Sequence, residues 1–217
     1  MIDGIQIKVC GLTSLVDAAF ADACGADYLG FVLYPKSPRC VSIAQCRSMA
    51  GRLPERQKVA VAVEPDPRAL LAMRDAGFNH FQVHFRHDVP VRRIEAWTHA
   101  VGAETLWLAP KLPPEVDVPE SWLGLSRGIL LDTFDSSLFG GTGRTGDWAK
   151  FKRHRQRQPG KTWILSGGLN PENVGEALAK TGARFIDVNS GVESAPGVKD
   201  HAKMKALVVA VHKAAGR

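Results

Sequence analysis

Glycines recur along this chain at a nearly constant interval, and each stands shortly before an apolar run. Gly25, Gly51, Gly77, Gly102 and Gly128 are separated by 26, 26, 25 and 26 residues. Glycine readily adopts the left-handed backbone conformation that ends a helix, so a glycine between a helix and a strand has a physical cause. The spacing therefore predicts one helix–strand unit that is repeated many times.

The apolar runs predict eight strands. Most are almost continuously apolar, which is typical of parallel strands covered on both faces. In order they read "IQIKVCG", "YLGFVL", "QKVAVAVE", "HFQVHF", "TLWLAPKL", "GILLDTF", "TWILSGG" and "RFIDVNSG". Eight strands alternating with helices predict an α/β fold, a (β/α)8 TIM barrel in one domain over residues 1–217. The alternative is a doubly wound open sheet, which favours fewer strands and, for a dinucleotide, a G-x-G-x-x-G turn that "VCGLTSL" lacks.

Several segments between the strands carry helix-start signals. Asp66 before Pro67, and Asn170 before Pro171, have the form of an N-cap followed by a proline in the first turn, and Ser42 with Gln45 has the form of a capping box. The fifth unit, "KLPPEVDVPESWLGLSRG", contains three prolines. We therefore expect a short or irregular helix in that unit.

The composition limits the partners that we expect. The formal charge is +6, and the one dense basic run is "KFKRHRQRQPGK" from Lys150 to Lys161. Because this run lacks aromatic interleaving and follows a capped-helix start at Asp147 and Trp148, we interpret it as a solvated helix face and expect no nucleic-acid partner. The four cysteines form no C-x-x-C pair, and no apolar run reaches ~18 residues. We expect a cytoplasmic protein without a metal or a membrane partner, as a monomer or homodimer.

In such barrels the active site forms at the C-terminal ends of the strands. Cys10 ends the first strand, His84 ends the fourth, Asp132 ends the sixth and Asp187 lies in the eighth. A thiol and a carboxylic acid can act as general base and general acid. Asp187 also fits a buried aspartate that bonds neighbouring amides, and His84 equally fits a structural histidine.

The loops after strands seven and eight predict a phosphate site. They read "SGGLNPENV" and "NSGVESAPGVKD", in which Gly167, Gly168, Ser190 and Gly191 would let backbone approach an anion closely. A helix starting at Asn170 would add free amides. Loop six, "FGGTGRTGDW", contains Gly141 and lacks the G-x-x-x-x-G-K pattern of a P-loop. We expect it to be a lid or a backbone wall against the substrate.

Together these motifs resemble those of the phosphoribosylanthranilate isomerase family of tryptophan biosynthesis. The resemblance extends along nearly the whole chain and is carried by segments in the order of the family: "KVCGLT", "DYLGFVLYPKSPRCVS", "VHFRHD", "LLDTF", "FGGTGRTGDW", "SGGLNPENV" and "DVNSGVESAPGVKD". It implies the Amadori rearrangement of N-(5-phosphoribosyl)anthranilate to the 1-deoxyribulose phosphate, without metal or organic cofactor. By position, Cys10 would be the general base, Asp132 the general acid and Arg39 the group that holds the anthranilate carboxylate.

The family resemblance also implies that Asp187 contributes to the substrate site. Opening an aminoribose ring requires a proton on the ring oxygen, which a carboxylic acid with a raised pKa can supply. The iminium that results acidifies the neighbouring C2 hydrogen, so a thiolate is an adequate base. A phosphate on loops seven and eight would set the sugar between Asp132 and Cys10, because strands seven and eight separate strands six and one in a closed barrel.

The chain departs from the family at two places. Phe85, Arg86 and His87 follow the strand-four histidine where the family usually has glycine, and Asn189 stands where serine is common. The first change concerns loop four and the fit of the anthranilate ring. Two other functions therefore stay open: a related sugar-phosphate isomerase with a different or dual phosphoribosyl substrate, and a noncatalytic phosphoribosyl-ligand binder.

Overall fold

Eight parallel strands close into a barrel in the computed structural model, which describes residues 1–132 and 147–216. The strands pair in chain order, and β8 returns to pair with β1. They are β1 (Gln6–Val9), β2 (Tyr28–Val32), β3 (Gln57–Val63), β4 (His80–Arg86), β5 (Leu106–Lys111), β6 (Gly128–Leu131), β7 (Thr162–Leu165) and β8 (Phe185–Val188). The closed order confirms the predicted TIM barrel and excludes the open sheet.

Helices cover the outside of the barrel. They are α1 (Leu15–Ala23), α2 (Ile43–Met49), α3 (Pro67–Asp75), α4 (Val91–Val101), α5 (Trp148–Arg157), α6 (Val174–Thr181) and α7 (His201–Ala214). Between β5 and β6 a 3-10 helix, Glu120–Leu125, confirms the expected irregular fifth unit. An antiparallel hairpin of β9 (Glu193–Ala195) and β10 (Val198–Lys199) follows β8. No helix in these two ranges is long and apolar enough to cross a membrane.

Two of the three predicted helix starts are confirmed. Ser42 and Gln45 form a reciprocal capping box, and Asp66 caps α3 with Pro67 in its first turn. The third prediction was wrong, because α6 begins at Val174 instead of directly after Asn170. The Asn170 carboxamide oxygen accepts the amides of Glu172 and Asn173, both at 3.0 Å, and thereby stabilises a separate turn before the helix.

The glycine periodicity has more than one structural cause. Gly25, Gly77 and Gly102 have φ values of +84°, +89° and +84° and follow helices, as predicted. Gly51 instead lies in a short 3-10 helix, Ala50–Arg52, and Gly128 is the first residue of β6. The repeat therefore marks the helix–strand unit correctly, although not every glycine closes a helix.

Alternation along the strands divides the core into two layers. Outward-facing residues pack against the helices, whereas inward-facing residues such as Cys10, Val61 and Trp107 form a separate cluster inside the barrel. At the N-terminal end of the strands, Tyr28 lies 5.1 Å from Trp107 and 5.0 Å from Phe185 between ring centroids. These rings fill the lower end of the barrel, so the open space lies at the C-terminal end.

The basic run is only partly a solvated face. Lys150 is buried and donates from Nζ to the carbonyl oxygens of Pro113 at 2.8 Å and Val116 at 2.5 Å. Lys161 donates to the carbonyl oxygen of Leu123 at 2.6 Å. Both lysines therefore stabilise the irregular connection between β5 and β6, and the solvated-face interpretation was wrong for them.

Phe85 belongs to strand β4 and not to the loop that follows. The strand extends to Arg86, and the Phe85 side chain is fully buried between Trp97 at 5.4 Å and Trp122 at 5.3 Å, centroid to centroid. It faces the helices, whereas His84 before it faces the inside of the barrel. This departure from the family therefore affects the packing of α4 more than the pocket.

We expect Phe85→Ala to lower the free energy of unfolding by about 3 to 5 kcal/mol, because it leaves a cavity among the two indole rings. Urea unfolding followed by tryptophan fluorescence measures this loss. Val209→Ala, at a position 66% exposed, is the control and should change stability by less than about 0.5 kcal/mol. Equal effects of the two substitutions would contradict the packing role of Phe85.

Candidate active site

One cavity opens at the C-terminal end of the barrel. Its volume is about 730 Å³, including the part open to solvent, which is in the usual range for a small-molecule site. It brings together nine of the ten predicted site residues: Cys10, Arg39, His84, Asp132, Gly167, Gly168, Asp187, Ser190 and Gly191. The tenth, Gly141, lies with most of loop six outside the described residues.

The two-residue period of the strands explains how these side chains meet. Lys8 on β1 and Cys10 directly after it are two residues apart, as are Gln82 and His84 on β4, and each pair therefore faces one side of the sheet. Asp132 follows β6 directly. In the closed order β6-β7-β8-β1, strands β7 and β8 separate Asp132 from Cys10, as the sequence predicted.

A buried ion pair lies below the Cys10 thiol. Lys8 Nζ donates to Asp187 Oδ1 at 2.8 Å, and the two side chains are 0% and 5% exposed. They are register partners on β1 and β8. Gly30 on β2 makes room for them, since a Cβ there would lie 2.9 Å from Lys8 Cε and 3.0 Å from Cys10 Cα. The alternative prediction had Asp187 bonding neighbouring amides; its partner is instead the Lys8 ammonium, and Asp187 also lines the cavity.

The ion pair sets opposing electrostatic effects on the thiol. Burial raises the pKa of Cys10 above its ordinary value and Asp187 adds to the rise, whereas the Lys8 ammonium lowers it. Burial by itself would lower the pKa of Lys8, but Asp187 and Cys10 outweigh burial and hold it above the ordinary value. Lys8 therefore stays charged beneath a thiol that is protonated at rest, and it stabilises a thiolate when one forms.

His84 is a neutral wall of the cavity. Burial, helped by the nearby Lys8 charge, lowers the pKa of His84 to about 4. Its Nε2 lies 2.8 Å from the amide nitrogen of Gln82, a contact in which the amide donates to an unprotonated ring nitrogen. His84 therefore offers a polar but uncharged surface at physiological pH.

Loops seven and eight meet backbone to backbone beside the cavity. Gly167 and Gly168 have φ values of +95° and +61° and turn the chain sharply after β7. A Cβ on Gly191 would lie 1.9 Å from the carbonyl oxygen of Leu169, so only glycine permits this approach. The two loops together form the glycine-rich surface that the sequence predicted for an anion, although the amides of Glu172 and Asn173 are used by Asn170.

Arg39 lines the cavity and belongs to a cluster of charged side chains that the sequence analysis did not predict. Its guanidinium donates to both carboxylate oxygens of Glu193, and Lys199 donates to the same carboxylate at 2.9 Å. Lys8 and Gln82 were also missed. A lysine in the middle of the apolar run "IQIKVCG" was a usable signal, since a buried ammonium needs a partner.

No group of three or more histidine, cysteine or acidic side chains within residues 1–132 and 147–216 could hold a metal ion. The polar groups that line the cavity include the carboxyl groups of Asp132 and Asp187, a thiol, an arginine and glycine-rich loops. A closed parallel barrel with these groups at its C-terminal end defines a TIM-barrel enzyme for a small anionic substrate.

The sequence and the fold match one family of such enzymes. The family described as N-(5'phosphoribosyl)anthranilate (PRA) isomerase matches residues 7–210. The N-(5'-phosphoribosyl)anthranilate isomerase of Zymomonas mobilis is 35% identical over 95% of this chain and 98% of its own. A phosphoribosyl anthranilate isomerase structure from Thermotoga maritima has a TM-score of 0.78 at 34% identity, covering 96% of this chain and 98% of that one.

A further solved relative, 33% identical with a TM-score of 0.75 over 96% of this chain and 98% of its own, contains reduced 1-(o-carboxyphenylamino)-1-deoxyribulose 5-phosphate. The chain belongs to the N-(5'-phosphoribosyl)anthranilate isomerase family. It is an aldose–ketose isomerase of tryptophan biosynthesis, which confirms the resemblance found in its motifs.

We expect substitutions of the ion pair to move the pKa of Cys10 in opposite directions. Lys8→Met removes the stabilising cation and should lower the thiolate fraction at a fixed pH by about tenfold or more, whereas Asp187→Asn removes a destabilising anion and should raise it. Ultraviolet thiolate absorbance, in a background with Cys24, Cys40 and Cys46 replaced by serine, measures both. Lys213→Met, on the exposed face of α7, is the control; shifts of equal sign in the two ion-pair variants would contradict the assignment.

We expect the His84 imidazole to titrate near pH 4, because burial opposes its protonation. Its carbon-bound ring protons, followed by NMR, report the midpoint directly. Because the folded-state pKa lies below the unfolded value of 6.5, the free energy of unfolding should fall as the pH drops from 6.5 towards 4. A midpoint at the unfolded value of 6.5 would refute the expectation.

Proposed function

We propose that the chain carries out its isomerisation with Asp132 as general acid and Cys10 as general base. The observation that supports the pair most directly is that both side chains line one cavity together with Gly167, Gly168 and Gly191. The sugar of the phosphoribosyl substrate then lies between two strand ends that hold a proton donor and a proton acceptor. Neither group needs a metal or an organic cofactor for this chemistry.

Asp132 begins the reaction by protonating the ring oxygen of the aminoribose. The C1–O bond then breaks, the ring opens and the anilino nitrogen stabilises the positive charge as an iminium. This role requires Asp132 to carry a proton when the substrate binds, which is what a partly buried carboxylic acid in a pocket can do. Asp132 is left as a carboxylate, which must regain a proton before the next turnover.

Cys10 then removes the proton from C2. The electron pair of the C–H bond moves into the C1–C2 bond, neutralises the iminium and gives an enolamine, which becomes the ketone by moving the hydroxyl proton to C1. Lys8 supports this step, because an ammonium beside the sulfur lowers the pKa of the thiol against the effect of burial. The base is the thiolate form of Cys10, and transfer of its newly gained proton to the Asp132 carboxylate restores both groups, so atoms and charge balance over the cycle.

Binding of the two anionic ends orients the substrate. We propose that Gly167, Gly168, Ser190 and Gly191 hold the phosphate through backbone amides, and that Arg39 holds the anthranilate carboxylate. Their support is the backbone approach of loops seven and eight and the position of the Arg39 guanidinium at the same cavity. His84 and Asp187 would complete the substrate surface, and Gly141 would contribute from loop six.

We further propose that residues 1–217 form one barrel domain that acts in the cytoplasm on a phosphoribosyl ligand. The family match over residues 7–210 supports a single unit. A Thermotoga maritima relative is described as dimeric. Light scattering of the purified chain distinguishes a monomer from a homodimer here.

The proposal predicts that Asp132→Asn and Cys10→Ser each lower kcat by about 10²-fold or more, which is the usual contribution of a general acid or base. Steady-state conversion of freshly made N-(5-phosphoribosyl)anthranilate, with a chelator present, measures the loss. Cys24→Ser at the end of α1 is the matched control and should keep the wild-type rate. Near-normal turnover in both active-site variants would reject the assignments.

The same assay tests the substrate. Wild-type protein should convert phosphoribosylanthranilate, and the aminoimidazole carboxamide ribotide intermediate of histidine synthesis serves as the second phosphoribosyl compound. Turnover of the second compound at a comparable rate would establish a dual substrate range. Ligand binding without any turnover would support the noncatalytic alternative and contradict the proposal.

A further inference from the structure

Arg39 contacts Glu193 through only one edge of its guanidinium group. Nε lies 2.9 Å from Glu193 Oε1 and 3.2 Å from Oε2, and Nη2 lies 2.6 Å from Oε2. This side-on contact uses the edge formed by Nε and Nη2. The opposite edge, formed by Nη1 and the second hydrogen of Nη2, has the geometry to bind another carboxylate without displacing Glu193.

Glu193 is itself held in place. Lys199 Nζ donates to Glu193 Oε1 at 2.9 Å and to Asn189 Oδ1 at 3.0 Å. The side chains of Glu193 and Lys199 are 4% and 0% exposed, so neither can exchange its partner for bulk water without a large cost. Two cations and one carboxylate leave one net positive charge in this cluster, which favours an anion at the free edge of Arg39. Asn189, which stands where serine is common in the family, accepts this hydrogen bond from Lys199.

The hairpin of β9 and β10 also supports the backbone near Arg39. Glu193 begins β9 and Lys199 ends β10. Thr13 Oγ1 donates to the carbonyl oxygen of Gly197 at the hairpin turn at 2.7 Å. A Cβ on Gly197 would lie 3.4 Å from the carbonyl oxygen of Pro38, so the turn packs against the residue before Arg39. The hairpin therefore restrains both the side chain and the loop that carries it.

We propose that Glu193 is a positioning residue that presents the free edge of Arg39 to the substrate carboxylate, so that this hairpin determines selection for a phosphoribosyl compound with a carboxylate on its aromatic ring. The inference rests on the proposed function, in which Arg39 binds that carboxylate. Glu193 does not contact the reacting carbons. Its effect is expected on recognition of the carboxylate and not on the chemical step.

Glu193→Asp isolates this effect, because it keeps the negative charge and removes one methylene of reach. We expect an aspartate at the start of β9 to be one methylene too short to reach Nε and Nη2, so that Arg39 loses its fixed orientation while the charge of the cluster stays the same. Thr13→Val is a second, neutral variant. It removes the hydroxyl that pins the hairpin turn and should act in the same direction, more weakly.

The experiment compares two probes by calorimetry. One is reduced 1-(o-carboxyphenylamino)-1-deoxyribulose 5-phosphate, and the other is the same compound with an unsubstituted phenyl ring. Wild-type protein should prefer the first by about tenfold or more, as expected for a charge-assisted bidentate contact. Glu193→Asp should lower this preference by about fivefold or more and leave the affinity for the phenyl compound within about twofold. In turnover, KM should rise while kcat changes little.

Glu104→Asp is the matched control, since Glu104 forms an exposed ion pair with Arg127 before β5, at the opposite end of the barrel. It should leave both affinities unchanged. Absence of any preference in the wild type would reject Arg39 as the carboxylate-binding group and thus the proposed function on which the inference rests. A wild-type preference that stays the same or increases in Glu193→Asp and Thr13→Val would overturn the positioning role alone.

Discussion

The contact between Lys8 and Asp187 joins the first strand of the barrel to the last. Lys8 is fully buried and Asp187 is only 5% exposed, so each needs the other to avoid the cost of an unpaired buried charge. Loss of one partner from such a pair usually costs about 3 to 5 kcal/mol. Because the two residues are register partners on β1 and β8, the pair favours the one alignment in which the sheet closes. The pair influences the pKa of the Cys10 thiol, needs the room left by Gly30, and adds to the burial that keeps His84 uncharged.

A second charged cluster stands at the rim above it, formed by Arg39, Glu193 and Lys199. The lower pair is electrically balanced, whereas the upper cluster carries an excess positive charge. With the substrate in the proposed position, the interior therefore combines a neutral floor under the reacting carbons with a positive rim at the anthranilate carboxylate. Such an arrangement attracts the ligand without stabilising a permanent thiolate, which would be open to oxidation or alkylation.

The sequence alone was sufficient to predict the barrel, because the signals that specify its strands and helices are local. Strand runs, glycine spacing and capping residues such as Ser42 and Asp66 act within a few positions, and strand ends then locate Cys10 and Asp132 at one end of the barrel. The ion pairs could not be predicted from such local patterns. Lys8 and Asp187 are 179 positions apart, and Arg39 and Glu193 are 154 apart. Phe85 shows the same limit, since only the strand register reveals that it faces the helices and not the pocket.

The aromatic rings of Tyr28, Trp107 and Phe185 fill the lower end of the barrel, and this packing determines the route by which substrate enters and product leaves. The cavity is therefore closed at the N-terminal end of the barrel and open at the C-terminal end. A product molecule has to leave by the route along which the substrate entered, so its departure and the next arrival exclude each other. Any contact at this open end that strengthens binding of an anionic ring therefore also slows release of the product before the following turnover.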